Sequence, residues 1–181
     1  MANSVMFPIK TSAQFDGSKI EAFTHTADID NGTVFVKGAL STVADESEVF
    51  TLSLPSAGTG LTNLYMAFTS PLNMVVGADG NEYRMGDLNP KNFTNYDGYV
   101  FNGFRLTVGD RIKITADGLG GTMGTNTYVV ATAGTGKLTW ASAAVSGVSL
   151  KLVKTDFFPI PEGGIGSQRT VAYVFEVVAV A

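Results

Sequence analysis

FRLTVGDRIKITADGL, residues 104–119, carries the clearest structural signal in the chain. Gly109-Asp110 predicts a kink or tight turn within this stretch, and Asp117-Gly118 predicts its end, at a glycine with positive φ. Successive side chains of a strand point to opposite faces of a sheet, so a period of two predicts a half-buried antiparallel strand. The apolar side chains that follow this period occupy even positions: Leu106, Val108, Ile112 and Ile114.

The remainder of the chain repeats this pattern, with short alternating or β-branched runs between glycine-rich turns. Asn31-Gly32 separates two such runs and predicts a hairpin. Residues 148–152 alternate again, and residues 159–168 read as the last loop. Residues 171–180 are apolar on both parities apart from Glu176, which predicts a strand covered on both faces or lying at a subunit interface. We therefore predict an all-β fold, an antiparallel β-sandwich or barrel-like domain with Gly-rich hairpin loops.

The domain organisation follows from length and local composition. At 181 residues the chain is long enough for one all-β domain, which we place at residues 19–181 after an N-terminal arm or edge strand at residues 1–18. The polar stretch at residues 77–98 is where the chain would divide if it had two subdomains. Residues 61–76 predict two strands separated by a bend at Pro71, with a helix over residues 61–69 as the alternative.

The charged and hydrophobic content of the chain bears on which classes of function the protein can have. Charged residues make up 15% of the chain, below the roughly 25% of ordinary domains, and the formal net charge is -4. No basic footprint for nucleic acid follows from this balance. The N-terminus lacks the pattern of a secretory signal, and no apolar stretch reaches the length of a membrane span. With 45% hydrophobic residues, the apolar surface must be covered either by the protein's own core or by neighbouring subunits.

The residues that could carry catalysis do not form a recognisable set. The chain has no cysteine and a single histidine, His25. His25 would have to be the base of a Ser-His-Asp triad, and a zinc site would need further nitrogen or sulfur ligands. We predict neither site. Paired carboxylates could serve glycoside hydrolysis, yet no spacing singles out two of them. We predict no enzyme activity and no cofactor. The acidic candidates for such a carboxylate pair are Glu46, Glu48, Asp87, Asp97, Asp110 and Glu176.

Three loops resemble ligand-binding motifs but lack required positions. Asp28-Ile-Asp30-Asn-Gly fails the calcium-loop pattern, because Gly32 stands at the fifth position, where a ligand is needed. We predict a hairpin turn there and no metal, with a surface cation on Asp28, Asp30 and backbone carbonyls as the alternative. GTGK at residues 134–137 lacks the first glycine and the hydroxyl of a phosphate-binding loop, and GLGGTM at residues 118–123 lacks the third glycine of a dinucleotide fingerprint. Both predict hairpin loops.

Four stretches resemble accessory head proteins of tailed bacteriophages: DIDNGTVFVKGAL, LPSAGTGLTNLYMAFTSP, NGFRLTVGDRIKITADGL and TVAYVFEVV. The resemblance implies a structural virion protein, a capsid decoration or cement protein made in the host cytoplasm and placed on the capsid surface. Its implied partner is the major capsid protein, together with self-association or neighbouring copies on the shell. From the charge balance and the absence of a long apolar run, we predict no nucleic-acid or membrane partner. No individual site residue transfers with the resemblance.

Contacts of this kind usually depend on buried aromatic side chains. We therefore expect Phe7, Phe15, Phe157 and Phe158, and also Tyr96, to bind the partner, through the arm at residues 2–15 and the loop at residues 157–165. The alternatives are a phage tail or baseplate β-module, a carbohydrate-binding domain with Trp140 as an exposed platform, and a small β-barrel enzyme with a pocket of converging titratable groups.

Overall fold

The computed structural model describes residues 4–42, 48–57, 61–70, 74–76, 82–84, 90–161 and 167–181. These ranges contain strands and short 3-10 turns and no α-helix, so the predicted all-β class is confirmed. The described part also contains no helix long and apolar enough to cross a membrane. The 3-10 turns are Ser12–Gln14, Gly17–Lys19, Pro90–Asn92 and Ala116–Gly118. The strands are β1 (Met6–Lys10), β2 (Ile20–Thr24), β3 (Val34–Leu40), β4 (Val49–Ser53), β5 (Tyr65–Ala67), β6 (Met74–Val76), β7 (Glu82–Arg84), β8 (Phe101–Arg105), β9 (Arg111–Thr115), β10 (Leu119–Gly120), β11 (Tyr128–Val130), β12 (Leu138–Ala141), β13 (Val148–Pro161) and β14 (Ser167–Val180).

These strands form a barrel and a larger open sheet. The barrel closes in the order β2-β4-β3-β5-β8, and the seven-stranded sheet has the order β1-β9-β14-β13-β11-β12-β10. Strands β6 and β7 pair only with each other within the described ranges. Two of the pairings, β2 with β4 and β10 with β12, are parallel, and the others are antiparallel. Strand β1 lies at one edge of the open sheet, against β9.

The barrel wall formed by β3, β5 and β8 faces two cores at once. Val34, Met66 and Phe104 lie in one cross-strand row and pack with residues of the seven-stranded sheet. Phe35 and Tyr65, one position away, point into the barrel. The period-two alternation of a strand thus divides apolar side chains between the barrel interior and the layer between barrel and sheet.

Aromatic side chains fill the barrel interior. Phe23 packs edge-on against Phe35, with ring centroids 4.7 Å apart, and contacts Tyr65 at 5.2 Å. Gly103 on β8 gives these rings their space, since a Cβ there would lie 2.7 Å from Cζ of Phe35 and 3.0 Å from the ring of Phe23. The buried members of this cluster are Phe23, Ile29, Phe35, Leu52, Tyr65, Ala67 and Phe101.

The stretch at residues 104–119 spans the junction between the two parts of the fold. It ends β8 in the barrel, turns, and then forms β9 in the open sheet. The predicted turn is confirmed at Gly109, whose φ is +92°. Ile112 and Ile114 are fully buried as predicted, but Val108 is 57% exposed because it lies in the turn and not on a strand. The prediction for Gly118 was wrong: it has no positive φ, and a Cβ there would instead lie 2.6 Å from Ile114.

Asp110 holds this junction to the N-terminal segment. Its carboxylate accepts hydrogen bonds from the backbone N–H of Ser12 at 2.6 Å, from the Ser12 hydroxyl at 2.9 Å and from the backbone N–H of Thr107 at 2.8 Å. Its carbonyl accepts from the N–H of Val177 on β14 at 2.8 Å. Asp110 is only 2% exposed, so these donors satisfy a buried carboxylate that would otherwise be costly.

The hairpin predicted at Asn31-Gly32 is wrong. Strands β2 and β3 do not pair with each other, because β4 lies between them. The turn itself exists, with φ of +89° at Gly32. The buried Asn31 side chain donates to the carbonyl of Thr69 at 2.8 Å and accepts from its N–H at 2.9 Å. The turn residues therefore connect to the segment after β5 and do not close a two-strand ladder.

Other loop predictions had mixed outcomes. The hairpin at residues 134–137 is confirmed, since β11 and β12 pair on either side of it. The hairpin at residues 118–123 is wrong, because β10 pairs in parallel with β12. The last loop is shorter than predicted, because the ladder of β13 and β14 continues to the pair Pro161–Ser167.

Residues 65–67 and 74–76 are strands, as predicted, and not the alternative helix. Pro71, and residues 77–81 and 85–89 of the polar stretch, lie outside the described residues.

We predict that Gly103→Ala destabilises the fold by about 1–3 kcal/mol, because the added methyl group would overpack the rigid aromatic cluster. A urea-unfolding series measures this. Gly17→Ala is the matched control, since no atom lies within 4 Å of its added Cβ and its φ is not positive. We expect the control to stay within about 0.5 kcal/mol of the wild type. Equal midpoints for both variants would contradict the packing role of Gly103.

We predict that Asp110→Ala lowers the free energy of unfolding by about 3 kcal/mol, because it leaves three donors of Ser12 and Thr107 without their charged acceptor. Asp110→Asn, which keeps one oxygen, should lose less. The control is Asp117→Ala, an exposed aspartate seven residues along the same stretch. Urea unfolding again distinguishes them, and a loss no larger than that of the control would show that Asp110 does not hold the junction.

Candidate interaction surface

The long hairpin of β13 and β14 extends beyond the rest of its sheet. Strand β13 pairs with β11 only through residues 149–151, and β14 pairs with β9 only through residues 172–176. Residues 157–161 of β13 pair with residues 167–171 of β14, and residues 154–156 pair with residues 172–174. Neither residues 154–161 nor residues 167–171 pair with a further strand of the described chain. We name these two segments the hairpin arm. At about 3.3 Å per residue, its eight-residue side spans roughly 25 Å.

Lys113 on β9 fastens the base of the hairpin arm. Its Nζ reaches across β14 to donate to the carbonyl of Phe157 at 2.6 Å, and it lies 3.3 Å from a carboxylate oxygen of Asp156 and 4.5 Å from the ring centroid of Phe158. The Lys113 side chain is 15% exposed, so the charge is largely enclosed by these groups. Lys154 binds the same Asp156 carboxylate at 3.2 Å. A cation from the sheet body therefore sets the position of the arm.

The two faces of the hairpin arm differ in composition. The cross-strand pair Phe157 and Val171 lies on the face that carries the core further along β14, since the next pair on that face includes the half-buried Tyr173. Phe157 is 42% exposed and Val171 is 40% exposed. The core face of the sheet thus continues onto the arm past the point where the barrel covers it. Phe158 lies on the opposite face and is half-buried against Lys113.

The other two predicted aromatic residues lie near the N-terminus. Phe7 on β1 pairs with Lys113 across the sheet, is 54% exposed and meets Phe68 edge-on at 6.4 Å between ring centroids. A cleft of about 240 Å³ opens between β1 and the barrel close to this pair, lined in part by Ile20. Phe15 is 82% exposed, at the turn after Ser12–Gln14. Residues 6–10 are held in the sheet as β1.

The structure thus places the four predicted phenylalanines at different parts of the surface. Phe7 and Phe158 share the face of the sheet that carries Lys113, Phe157 lies on the other face, and Phe15 stands outside the sheet. Tyr96 is 43% exposed and contacts Tyr99 at 6.3 Å. They do not form one continuous patch, and the only pair on one projecting element is Phe157 and Phe158.

Two of the three loops that resemble ligand-binding motifs, residues 28–32 and 134–137, meet at one groove. His25, Asp28 and Asp30 line one side and residues 134–137 line the other, around a volume of about 610 Å³. Both carboxylates hold backbone groups: Asp28 accepts from the N–H of Asp97 at 3.0 Å, and Asp30 from that of Ser4 at 3.5 Å. No group of three or more His, Cys, Asp or Glu suited to a metal occurs in the described ranges. The two acidic residues act there as acceptors that tie loops together.

Two further acidic candidates, Glu176 and Asp110, make structural contacts. Glu176 forms an ion pair with Arg111 at 2.6 Å, and Asp110 holds the junction described above. Glu46 and Asp87 lie outside the described residues. Trp140 is 9% exposed and packs at right angles to Tyr173, with ring centroids 5.2 Å apart. It belongs to the core, so the exposed platform expected for a carbohydrate-binding domain was wrong.

Among the residues that the structure describes, three groups have shifted pKa values. The backbone N–H of Phe157, then Lys154 and Lys113, lower the pKa of Asp156 to about 2. Burial, and then the hydrogen bond from its hydroxyl to Glu21, raise the pKa of Tyr65 to about 12. Hydrogen bonds from Ser18 lower the pKa of Asp16 beside Phe15. All three shifts come from groups that stabilise a loop, an arm or a barrel strand.

Comparison with known proteins found no relative: no family model, no curated protein and no solved structure matches the chain.

Sequence reasoning missed the hairpin arm and Lys113. The apolar-polar alternation predicts a strand only as far as Leu152, because the bulge at Val153 shifts the alternation by one residue. The run VKTDFFPIP that follows is free of glycine and rich in β-forming residues. That composition could have extended the predicted strand to Pro161. The contact of Lys113 with β13 had no local signal, because it joins residues more than 40 positions apart.

We predict that the Asp156 carboxyl titrates with a midpoint near 2 in the folded protein. Since this pKa is depressed from about 3.9, the stabilisation is present above the ordinary pKa and is lost as the pH falls through the folded value. A carboxyl-carbon NMR titration measures it. Lys154→Met should raise the midpoint, because it removes a hydrogen-bond donor. A midpoint near 4 in the wild type would contradict the contacts at the arm base.

Proposed function

We propose that this protein is a structural component of a tailed-phage virion, a decoration or cement protein. It binds the outside of the capsid shell and holds neighbouring major capsid subunits together. The observation that carries the proposal is the hairpin arm, which leaves the sheet with an exposed apolar pair and with no further strand of the described ranges on either side. A shell protein of this kind needs a stable body and a projecting contact element.

The hairpin arm suits contact with a neighbour because it is both exposed and positioned. Unpaired strand edges and exposed apolar side chains are liabilities in a free protein, and proteins commonly use them for association. Lys113 fixes the arm at its base through Asp156 and the carbonyl of Phe157. A contact element that is already ordered loses less conformational entropy on binding than a flexible one. Both properties favour binding to many equivalent sites on a shell.

Phe157 is the residue we expect to contribute most to the contact. Large aromatic side chains that become buried are the usual hot spots of protein interfaces, and Phe157 is an exposed one on a projecting strand. Phe158 acts differently, because it already packs against Lys113 and orients the arm. Phe7 and Phe15 lie elsewhere and would extend the contact only if the shell reaches the N-terminal side of the sheet.

A phage tail or baseplate module would use the same hairpin arm to bind a tail protein. The binding experiment must therefore test heads and tails. Heads and tails of the virus whose genome encodes this chain can be separated and tested in parallel. Binding to tails alone would replace the capsid proposal with the tail module. The carbohydrate alternative has lost its structural basis, because Trp140 is buried against Tyr173.

We predict that Phe157→Ser lowers the affinity for expanded capsid shells at least about tenfold, because it removes a hot-spot aromatic. Co-sedimentation of purified protein with shells measures the bound fraction. Val178→Ser is the control: Val178 is 37% exposed on β14, the other strand of the hairpin, outside the arm, and its variant should bind as the wild type does.

Both side chains are exposed, so urea-unfolding midpoints should stay close to the wild type and exclude a folding defect. Failure of the wild type to sediment with shells would refute the capsid role. Wild-type affinity of Phe157→Ser would refute the role of the arm residue within it.

A further inference from the structure

We infer that the edge of β14 at residues 167–171 receives an extended acidic segment of the capsid subunit as an additional strand. The inference rests on the proposed function and names the chemistry of its contact. The two edges of the hairpin arm are not equivalent, and the difference can be derived from backbone directions.

The direction of the β14 backbone follows from its contacts with the β8–β9 turn. Val177 donates its N–H to the carbonyl of Asp110 at 2.8 Å, and its carbonyl accepts from Gly109 at 2.9 Å, so Val177 directs its backbone groups to the β9 side. Strand β14 has no bulge between Val177 and Ser167. Alternate residues point the same way, so Val171 and Arg169 also direct their N–H groups to that side, beyond the end of β9.

The opposite edge, on β13, is closed to a further strand. In the register of the hairpin, Pro159 pairs with Arg169 and Pro161 with Ser167, so both prolines face outward, where they offer no N–H donor. The next outward residue, Phe157, has its N–H bonded to the Asp156 carboxylate at 2.9 Å and its carbonyl bonded to Lys113. Proline and charged side chains are the usual means of blocking an edge. Strand β14 has no proline at residues 167–171, and none of the side chains that the structure describes bonds the outward backbone groups of Arg169 or Val171.

The side chains beside the open edge define what the added strand should carry. Val171 and its cross-strand neighbour Phe157 expose an apolar pair, which an apolar side chain would cover. Arg169, two residues further along the same face, is exposed and has no acidic partner among the residues that the structure describes. The occupant should therefore present an apolar residue opposite Val171 and a carboxylate opposite Arg169. Main-chain bonds would supply affinity, and these two side chains would supply specificity.

The open edge carries a positive charge on a negatively charged chain. Residues 167–171 of β14 hold one charged side chain, Arg169, whereas the whole chain has a net charge of -4. An acidic segment is thus attracted to Arg169 and repelled by the rest of the chain, which favours docking at this edge. Two copies of this chain, each with a net charge of -4, repel each other, so we place a strand of the shell subunit at this edge.

Arg169→Pro tests the inference directly. Because the Arg169 N–H faces the open edge, proline there should spare the ladder with β13 while removing a donor for the added strand. We expect its affinity for expanded shells to fall at least about tenfold. The matched control is Thr155→Pro, which adds a proline facing outward from the edge of β13 and should bind as the wild type does. Arg169→Glu should also weaken binding, and Arg169→Lys should restore most of it.

Amide hydrogen exchange gives a readout independent of affinity. In the free protein, the amides of Arg169 and Val171 should exchange faster than those of Gln168 and Thr170, which face β13. On shells, Arg169 and Val171 should gain protection. Equal protection of all four in the free protein, or no gain on shells that bind the wild type, would overturn the inference.

The outcomes separate the two proposals. If the wild type binds shells and Arg169→Pro binds equally well, the edge pairing is wrong and the decoration role stands. If the wild type binds no shells, both are wrong. If Arg169→Pro instead changes the sedimentation coefficient of the free protein, the occupant is a second copy of the chain, and the inferred partner is wrong.

Discussion

The structure depends on one wall of strands that is apolar on both sides. Strands β3, β5 and β8 direct Phe35 and Tyr65 into the barrel, and Val34, Met66 and Phe104 towards the open sheet. A shift of one residue in any of their registers would exchange the two sets and leave neither core filled. The wall therefore fixes both the size of the barrel and the place of the sheet upon it. Gly103 on β8 also contributes to the wall, because the absence of a side chain there leaves the space in which Phe23 and Phe35 meet.

The hairpin arm is the point at which this packing ends. Within residues 172–177, β14 buries Ala172 and Val174 on one face and Phe175 and Val177 on the other. Beyond Ala172 the same alternation continues without cover, so Phe157 and Val171 remain exposed. Lys113 fixes the base of the arm, with its charge enclosed among Asp156, the Phe157 carbonyl and the Phe158 ring. The resulting element exposes an apolar pair on one face and pairs with no further strand of the described chain, which is the basis of the proposed attachment to a shell.

Much of the local structure could be predicted from the sequence. Burial of Ile112 and Ile114, the turn at Gly109 and the hairpin at residues 134–137 all follow from alternation and turn chemistry acting over a few residues. The wrong predictions share one cause, which is that each depends on a contact that the local sequence pattern does not report. Asn31-Gly32 marks a turn correctly but not which strands it connects, because the Asn31 side chain bonds Thr69 and not a hairpin partner. Gly118 is a glycine because Ile114 occupies the space of its Cβ, a contact that no local pattern reports. Of the candidate surface, the sequence could nominate the exposed Phe157 but not the arm that carries it.

The sequence by itself determined the all-β class and most of the positions at which strands and turns occur, since side-chain alternation and glycine act locally. Only the tertiary structure decided that residues 104–119 cross between two sheets, that β2 runs parallel to β4, and that one edge of the hairpin arm is closed while the other is open. The physical reason is that strand pairing is selected by burying both faces of β3, β5 and β8 at once. That condition involves residues far apart in the chain, and no single stretch contains it.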